Sequence, residues 1–450
     1  MRTAASPSKF GWILLILIAL ILAGSIALGS QYNAHPDEFL HIDAFCYYQS
    51  SWWMPDLNAD LQIYSSSGDS RVYRPEAVYW IYGKVSRVIV GGIGLAGYLP
   101  IPPLKTFSAW TLDGHICHYP IFRVINLGLF AGTLLLLFFV GRKHSIGFSL
   151  LALMLSLPQV TYIYAYANSD AWGLSVCIAS FLFVFTQGNL LASLKKSLVL
   201  GLFTALILLS KQNFWMFLPF LYSILLWNIF ADKQRDPRRM VVHGCIALGI
   251  ILLLIFPMHI YYPLSQGDYA AKYQQMLRDR TLDPWHPDRP TFDGFLLASR
   301  GVPFQDVIFN LRWWMTSLFS FYGVFGYVNI PLPPVFYLLV FILAVFLLIE
   351  ILRSLRRRWS DIQPFHKYLL ASLTLATVLI FAASLYFSWV QDFQPQGRYL
   401  FPMIIYLALL AWIAGQYRAS NSPLPRRVAF LVGLLLSFSA LVWYIQTVIA

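Results

Sequence analysis

Apolar residues in this 450-residue chain are gathered into blocks separated by short polar turns. Such blocks occur near 11–30, 120–140, 146–165, 171–187, 197–212, 214–230, 241–262, 335–352, 368–388, 399–416 and 428–447. A helix rising about 1.5 Å per residue needs about 20 apolar residues to cross a hydrocarbon core about 30 Å thick. The pattern predicts an all-α polytopic membrane protein with about 11 transmembrane helices, read as a single domain over 1–450. The stretches 77–99 and 307–328 are apolar too, but Gly, Arg or Lys interrupts them, and they are expected to be interfacial or re-entrant helices. They lie in two long segments, 31–118 and 263–333, rich in Trp, Tyr, Pro, Asp and Arg rather than Gly and Ser. That composition predicts ordered extracytoplasmic loops with short interfacial helices, not slack linkers.

Composition narrows the class further. Hydrophobic residues make up 58% of the chain and charged residues only 12%, against about 25% charged in ordinary soluble domains. A soluble enzyme, a disordered chain, a coiled coil and a disulfide-dense secreted module are excluded. The net charge of +12 would suggest nucleic acid in a soluble protein, but its distribution gives it another meaning. With the N-terminus in the cytoplasm, alternate loops carry Arg2 and Lys9; Arg142 and Lys143; Lys195 and Lys196; Lys233, Arg235, Arg238 and Arg239; Arg353, Arg356, Arg357, Arg358 and Lys367; and Arg418, Arg426 and Arg427. Those loops hold 18 basic residues against four acidic ones, and the remainder of the chain comes to −2. This is a topology signal, and no nucleic-acid partner is expected. A full span at 307–328 would carry the Arg353–Arg358 cluster to the other side. Residues 1–29 also read as a signal peptide ending at Ala27-Leu28-Gly29; the odd span count favours a retained first helix.

The sharpest local pattern is Asn33-Ala34-His35-Pro36-Asp37-Glu38-Phe39-Leu40-His41, just beyond the first span. Pro36 suits the first position of a helix. Asp37 and Glu38 would then occupy the first turn, at the positive end of the helix dipole. His41 would lie beside both at helical spacing, with Asp43 close behind. A carboxylate so placed can take a proton from an attacking hydroxyl, and the dipole and His41 would keep it ionised. His41 would alternatively orient the carboxylate or help hold a divalent cation, Mg or Mn. A helix start with favourable first-turn acids explains the same residues without chemistry.

Other polar groups gather at the same membrane face. Asn168, Ser169 and Asp170 lie in one outer turn, and Lys211, Gln212 and Asn213 in the next. Arg398 and Tyr399 begin the tenth span, and Arg71, Arg74 and Glu76 lie in the first loop. Singly, each cation reads as a topology anchor; jointly, Lys211 and Arg398 fit a lipid phosphate. Loop aromatics such as Trp52, Trp53 and Trp80 suit either a sugar face or the interfacial belt. Cys46 and Cys117 share the first loop, where a disulfide and two buried thiols are both open. Asp113-Gly114-His115-Ile116-Cys117-His118 has metal-type ligands but lacks a second pair.

Four motifs carry a resemblance along the whole chain: Pro36-Asp37-Glu38-x-x-His41, Asn168-Ser169-Asp170, Phe321-Tyr322-Gly323-Val324-Phe325-Gly326-Tyr327 and Gln396-Gly397-Arg398-Tyr399-Leu400-Phe401-Pro402. Together they resemble a bacterial membrane-protein family known as domain-of-unknown-function 2142. The long first outer loop with its acidic motif is similar to the GT-C superfamily of polytopic glycosyltransferases. The resemblance implies a GT-C-like fold in the bacterial inner membrane, with the active site on the extracytoplasmic face. It also implies a polyprenyl-phosphate sugar as donor and an acidic catalytic residue in the first loop. By position that residue is Asp37, with Glu38 second and His41 beside them. Lys211, Arg398, Arg71, Arg74, Asp170, Asn168 and Tyr399 are the expected substrate-binding residues. A glycan or lipid-linked glycan is the expected acceptor. A transporter or flippase of lipid-linked glycans, or a glycan polymerase or ligase, is the alternative.

Overall fold

The structure is a computed structural model, and it describes residues 9–59, 63–93, 119–232, 236–281, 297–298, 300–390, 393–417 and 424–449. The protein is mostly helical, at 78%. Seven helices are long and apolar enough to cross a membrane: Lys9–Gly29, Pro120–Lys143, Gln212–Ala231, Pro237–Ser265, Pro334–Arg357, Pro364–Val390 and Val428–Ile449. Each coincides with an apolar block of the sequence. The four remaining blocks are helical but shorter. Residues 146–165 break into Ser145–Leu155 and Pro158–Ile163 because Pro158 has no N–H for a continuing helix. The other three give Asp170–Thr186, Leu194–Leu208 and Met403–Gln416. Pro237–Ser265 and Pro334–Arg357 leave nearly all their apolar side chains uncovered by protein, as expected where lipid is the neighbour.

The stretches predicted to stay out of the membrane are built from short elements. In the first loop the helices are α1 (Glu38–Ser50) and α2 (Ala77–Ile93). The second holds α3 (Tyr269–Arg280), α4 (Phe304–Ile308) and α5 (Leu311–Gly323). After α5 comes an antiparallel pair in which β1 (Val324–Phe325) meets β2 (Ile330–Pro331). At 13 residues, α5 reaches about 20 Å, too little to span. The two loops are joined to each other. Tyr262 donates to the Pro55 carbonyl at 2.7 Å, Tyr273 to Asp69 Oδ1 at 2.8 Å and Arg280 to the Ala59 carbonyl at 2.8 Å. Gly68, at φ +76°, lies so close to helix α3 that a Cβ there would meet the Leu277 oxygen at 2.3 Å. Cys46 is disulfide-bonded; Cys117 and the 113–118 metal-type motif lie outside the described residues.

One buried clamp sets the start of α1. The Arg123 guanidinium, on the helix Pro120–Lys143, donates to both Glu38 oxygens at 2.7 Å. It also donates to the carbonyls of Ala27, Ser30 and Gln31 at 2.8–2.9 Å. Those carbonyls close the helix Lys9–Gly29 and have no partner within it. Glu38 takes a further bond from the Ala167 amide at 3.3 Å. Arg123 and Glu38 are thus a fully enclosed pair, with 2% and 0% of their side chains exposed. The clamp lies at the end of its helix opposite Arg142 and Lys143. Likewise Arg356 and Arg357 close a helix whose start adjoins the β1–β2 pair, and Lys367 begins one that ends beside the second loop, where Trp389 donates to the Val302 carbonyl at 2.7 Å.

Breaking a buried ion pair from one side strands the other charge, at a cost of about 3–5 kcal/mol. Arg123→Ala is therefore expected to lower the melting temperature of the detergent-purified protein by several degrees. Melting indistinguishable from wild type contradicts the clamp.

Candidate functional site

The chain reverses sharply between the first span and α1, and the reversal aims Asp37. Pro36 does not open α1 as expected. The helix begins at Glu38, and Asp37 is its N-cap residue at φ 56°, ψ 12°, with no side-chain cap bond. A left-handed backbone is costly for a residue with a Cβ. Among the described residues, Asn33, Asp37 and Val328 are the non-glycine residues with positive φ. Asn33 and Asp37 flank this reversal, and Val328 lies in the β1–β2 turn, where the neighbouring Tyr327 hydroxyl donates to Asn33 Oδ1. Backbone strain gathered at one place is a mark of function. Its effect here is to turn the Asp37 carboxylate away from its own helix.

The carboxylate meets two arginines from distant parts of the chain. Arg71 Nη2 and Arg398 Nη2 each lie 3.3 Å from Asp37 Oδ2. The contacts continue in both directions. Arg71 lies 3.6 Å from Asp69, and Asp69 is held by Arg74 at 2.7 Å. Arg398 lies 3.6 Å from Asp170, and Asp170 is held by Lys211 at 3.1 Å. The result is an alternating line: Arg74, Asp69, Arg71, Asp37, Arg398, Asp170, Lys211. Tyr399 lies beneath its end, with Lys211 Nζ 5.1 Å and the Arg398 guanidinium 5.7 Å from the ring centre. The three carboxylates differ in access: the side chains of Asp170, Asp69 and Asp37 are 0%, 12% and 30% exposed. Asp37 is therefore the most accessible of the three.

Charge neighbours tune these groups. Burial alone would raise the Asp37 carboxyl, but Arg71, Arg398 and Lys211 outweigh it and hold the group well below the usual carboxylate range. Burial also presses on Asp69, and Arg74 and Arg71 hold it low. His41 is driven well below its usual value by burial and by Arg71. Arg71 and Arg398 do most to keep Asp37 ionised. Burial, with Arg398 and Arg71 nearby, pushes the Lys211 ammonium down to about 8, against the pull of Asp170.

A cavity of about 810 Å³ opens beside this line. Its polar part is formed by Asp37, Asp69, Arg71, Arg74, Glu76, Lys211 and Tyr399, with Ser65, Ser66 and Ser67 at the first loop. Its less polar part is formed by Ile380, Ala383, Phe387 and Val390 of the membrane-length helix Pro364–Val390, with Ser384 and Ser388 among them. An amphipathic ligand with an anionic head matches that division.

The structure thus brings Asp37, Arg71, Arg74, Asp170, Lys211, Arg398 and Tyr399 into one network. Three expected residues stand outside this network, and within it Asp170 and Arg398 lie behind the cavity wall rather than in it. Glu38 belongs to the Arg123 clamp and is wholly enclosed, which argues for a scaffold role in place of the catalytic one expected. Asn168 is also enclosed: it caps the helix Asp170–Thr186 by accepting from Ala171 N at 3.0 Å and donates to the carbonyls of Ile163 and Tyr166. That is a turn-forming role instead of the substrate contact expected. His41 is buried behind Asp37, its Nδ1 3.0 Å from the Tyr79 hydroxyl. No group of three or more His, Cys, Asp or Glu able to hold a metal ion occurs among the described residues. Asp37, Asp69 and Asp170 are each already matched by cations, and they do not fit a Mg or Mn site. Asp69 and Arg123 were not singled out from sequence. Asp69 is visible only as a lone acid two residues before Arg71, and Arg123 only as a charge inside an apolar block.

The Phe321–Tyr327 and Gln396–Pro402 motifs are pressed together. Gly397 N donates to Ser320 Oγ at 2.7 Å, and a Cβ on Gly397 would meet Phe321 N at 2.0 Å and its Cα at 2.3 Å. That close approach seats the next residue, Arg398, against Asp37. A family model described as Predicted membrane protein (DUF2142) matches residues 109–407, which include Asp170, Lys211 and Arg398 and begin after Asp37 and Arg71. No curated protein matches the chain.

Gly397→Ala is expected to force α5 and the Arg398 segment apart, at a cost of about 1–3 kcal/mol or more. A lowered melting temperature checks this, and wild-type melting refutes the contact.

Proposed function

The chain belongs to that family of predicted membrane proteins, and from this premise we propose that it is an integral-membrane glycosyltransferase of GT-C type. It moves a sugar from a polyprenyl-phosphate donor to a hydroxyl of a cell-envelope glycan or lipid-linked glycan. The reading places the reaction on the extracytoplasmic face of a bacterial inner membrane, opposite the basic helix ends. One observation carries it: a partly exposed Asp37 carboxylate beside Arg71 and Lys211, at the polar end of a cavity whose other wall is largely apolar.

The chemistry follows from those groups. The donor's phosphate would take contacts from Lys211 and Arg398, with the lipid chain along Ile380, Ala383 and Phe387. The acceptor oxygen attacks the anomeric carbon, the bond from that carbon to the phosphate oxygen breaks, and the phosphate leaves with the electron pair. Asp37 accepts the acceptor's proton. Paired with two arginines, Asp37 is too weak a base for this task. A bound phosphate competes for Arg398 and Arg71, and that competition raises the carboxylate's basicity when donor is present. The cations meanwhile offset charge on the departing phosphate. Donor binding and activation of the base are then one event.

Asp37→Asn is expected to reduce sugar transfer from a polyprenyl-phosphate donor by about a hundredfold or more, with protein level and membrane insertion unchanged; full activity in the reconstituted variant would remove Asp37 as the base. A second expectation concerns pH. Lys211 is protonated below its depressed value of about 8, so binding of polyprenyl phosphate should weaken as pH rises through 8. Lys211→Arg, whose guanidinium stays charged, should bind with no loss across that range. Identical pH profiles for the two proteins would exclude Lys211 as a phosphate ligand.

A further inference from the structure

We infer that Asn213 and His259, with Trp215 between them, form the subsite that reads the hydroxyls of the donor's sugar ring; the inference rests on the glycosyltransferase reading. Both side-chain polar atoms of Asn213 and Nε2 of His259 are buried without a hydrogen-bond partner. Both residues nonetheless line the cavity that holds Asp37 and Lys211. An unmet buried donor or acceptor costs about 1–3 kcal/mol, so three such atoms on two residues of one cavity wall mark a place reserved for a polar ligand.

The local backbone is arranged to present them. Asn213 follows Lys211 by two residues, in the short 3-10 helix Gln212–Phe217. His259 sits in a π-helical turn, Phe256–Tyr261, and such turns re-aim side chains and recur at functional sites. Trp215 packs edge-on against the imidazole at 5.8 Å.

The chemistry of these groups selects the ligand part. A phosphate needs donors and positive charge, which Lys211 and the arginines supply, and gains nothing from an acceptor such as Asn213 Oδ1. A lipid chain would leave all three atoms unmet. A sugar hydroxyl both donates and accepts, so adjacent hydroxyls match an amide beside an imidazole, and the indole offers apolar area to the ring.

The test uses the full chain in lipid nanodiscs and two kinds of probe: sugar-free polyprenyl monophosphate, and a panel of its glucosyl, galactosyl, mannosyl and arabinosyl esters. Wild type is expected to bind one ester about tenfold or more tighter than the sugar-free lipid, as sites built to hydrogen-bond a hydroxyl discriminate strongly. Asn213→Ala and His259→Ala should lose that preference while binding the sugar-free lipid as wild type does. His259→Gln, which keeps a polar acceptor, should recover part of it. Retained preference in both alanine variants overturns the subsite. So does an equal loss of affinity for the sugar-free lipid, or a wild type with no ester preference. Failure of the parent reading looks different: the ester preference and its loss in the variants would persist, but wild type would transfer or hydrolyse no donor.

Discussion

The alternation of Arg74, Asp69, Arg71, Asp37, Arg398, Asp170 and Lys211 answers a physical problem that the rest of the site depends on. Charges taken out of water cost several kcal/mol each unless they are matched at close range. Here every carboxylate lies against two cations, and the line ends in a cation at both sides. Its members come from the first loop, the start of α1, and the segments just before three membrane-associated helices. Electrostatic matching therefore holds these segments in register, and the site doubles as the clasp of this end of the helices. It also leaves a positive surplus facing the cavity, which suits an anionic head group.

The enclosed Arg123–Glu38 pair works one layer beneath. It spends two charges on fixing where the first span stops and where α1 starts. That frees Asp37 to take a left-handed backbone and point into the cavity. Neighbouring acids in the sequence thus have opposite fates. Glu38 is sealed by two of the five Arg123 hydrogen bonds, the other three going to the carbonyls of Ala27, Ser30 and Gln31, whereas Asp37 keeps part of its surface open. The strain at Asn33, Asp37 and Val328 is tolerated because the Tyr327–Asn33 contact and the Gly397–Ser320 contact hold the surrounding segments from two directions.

Much of this was legible from the chain, and the reasons for the rest are specific. The apolar blocks gave the helices because a membrane span is a local property of about 20 residues. The block at 146–165 misled because a single proline, Pro158, divides a run that is apolar throughout. Clustering of polar groups at one face pointed to Lys211, Arg398, Asp170 and Asp37 before any contact was known. Helical spacing rightly placed His41 near Asp37, but spacing carries no information on burial, and burial is what drives the His41 imidazole well below its usual pKa. Pro36 as a helix start was a sound local rule overridden by a tertiary demand, the need to aim Asp37 at Arg71 and Arg398. Asp69 and Arg123 become meaningful only once their partners, far away in sequence, are in place.

The central claim is that the cations around Asp37 are the donor's phosphate site. A structure of the reconstituted protein with bound polyprenyl monophosphate tests it most directly. The account predicts the phosphate within about 4 Å of Arg398 and Lys211, with the lipid chain along Pro364–Val390 and the Asp37 contact to Arg398 lengthened. Lipid phosphate bound elsewhere, with the Asp37–Arg398 and Asp170–Lys211 pairs undisturbed, would contradict it.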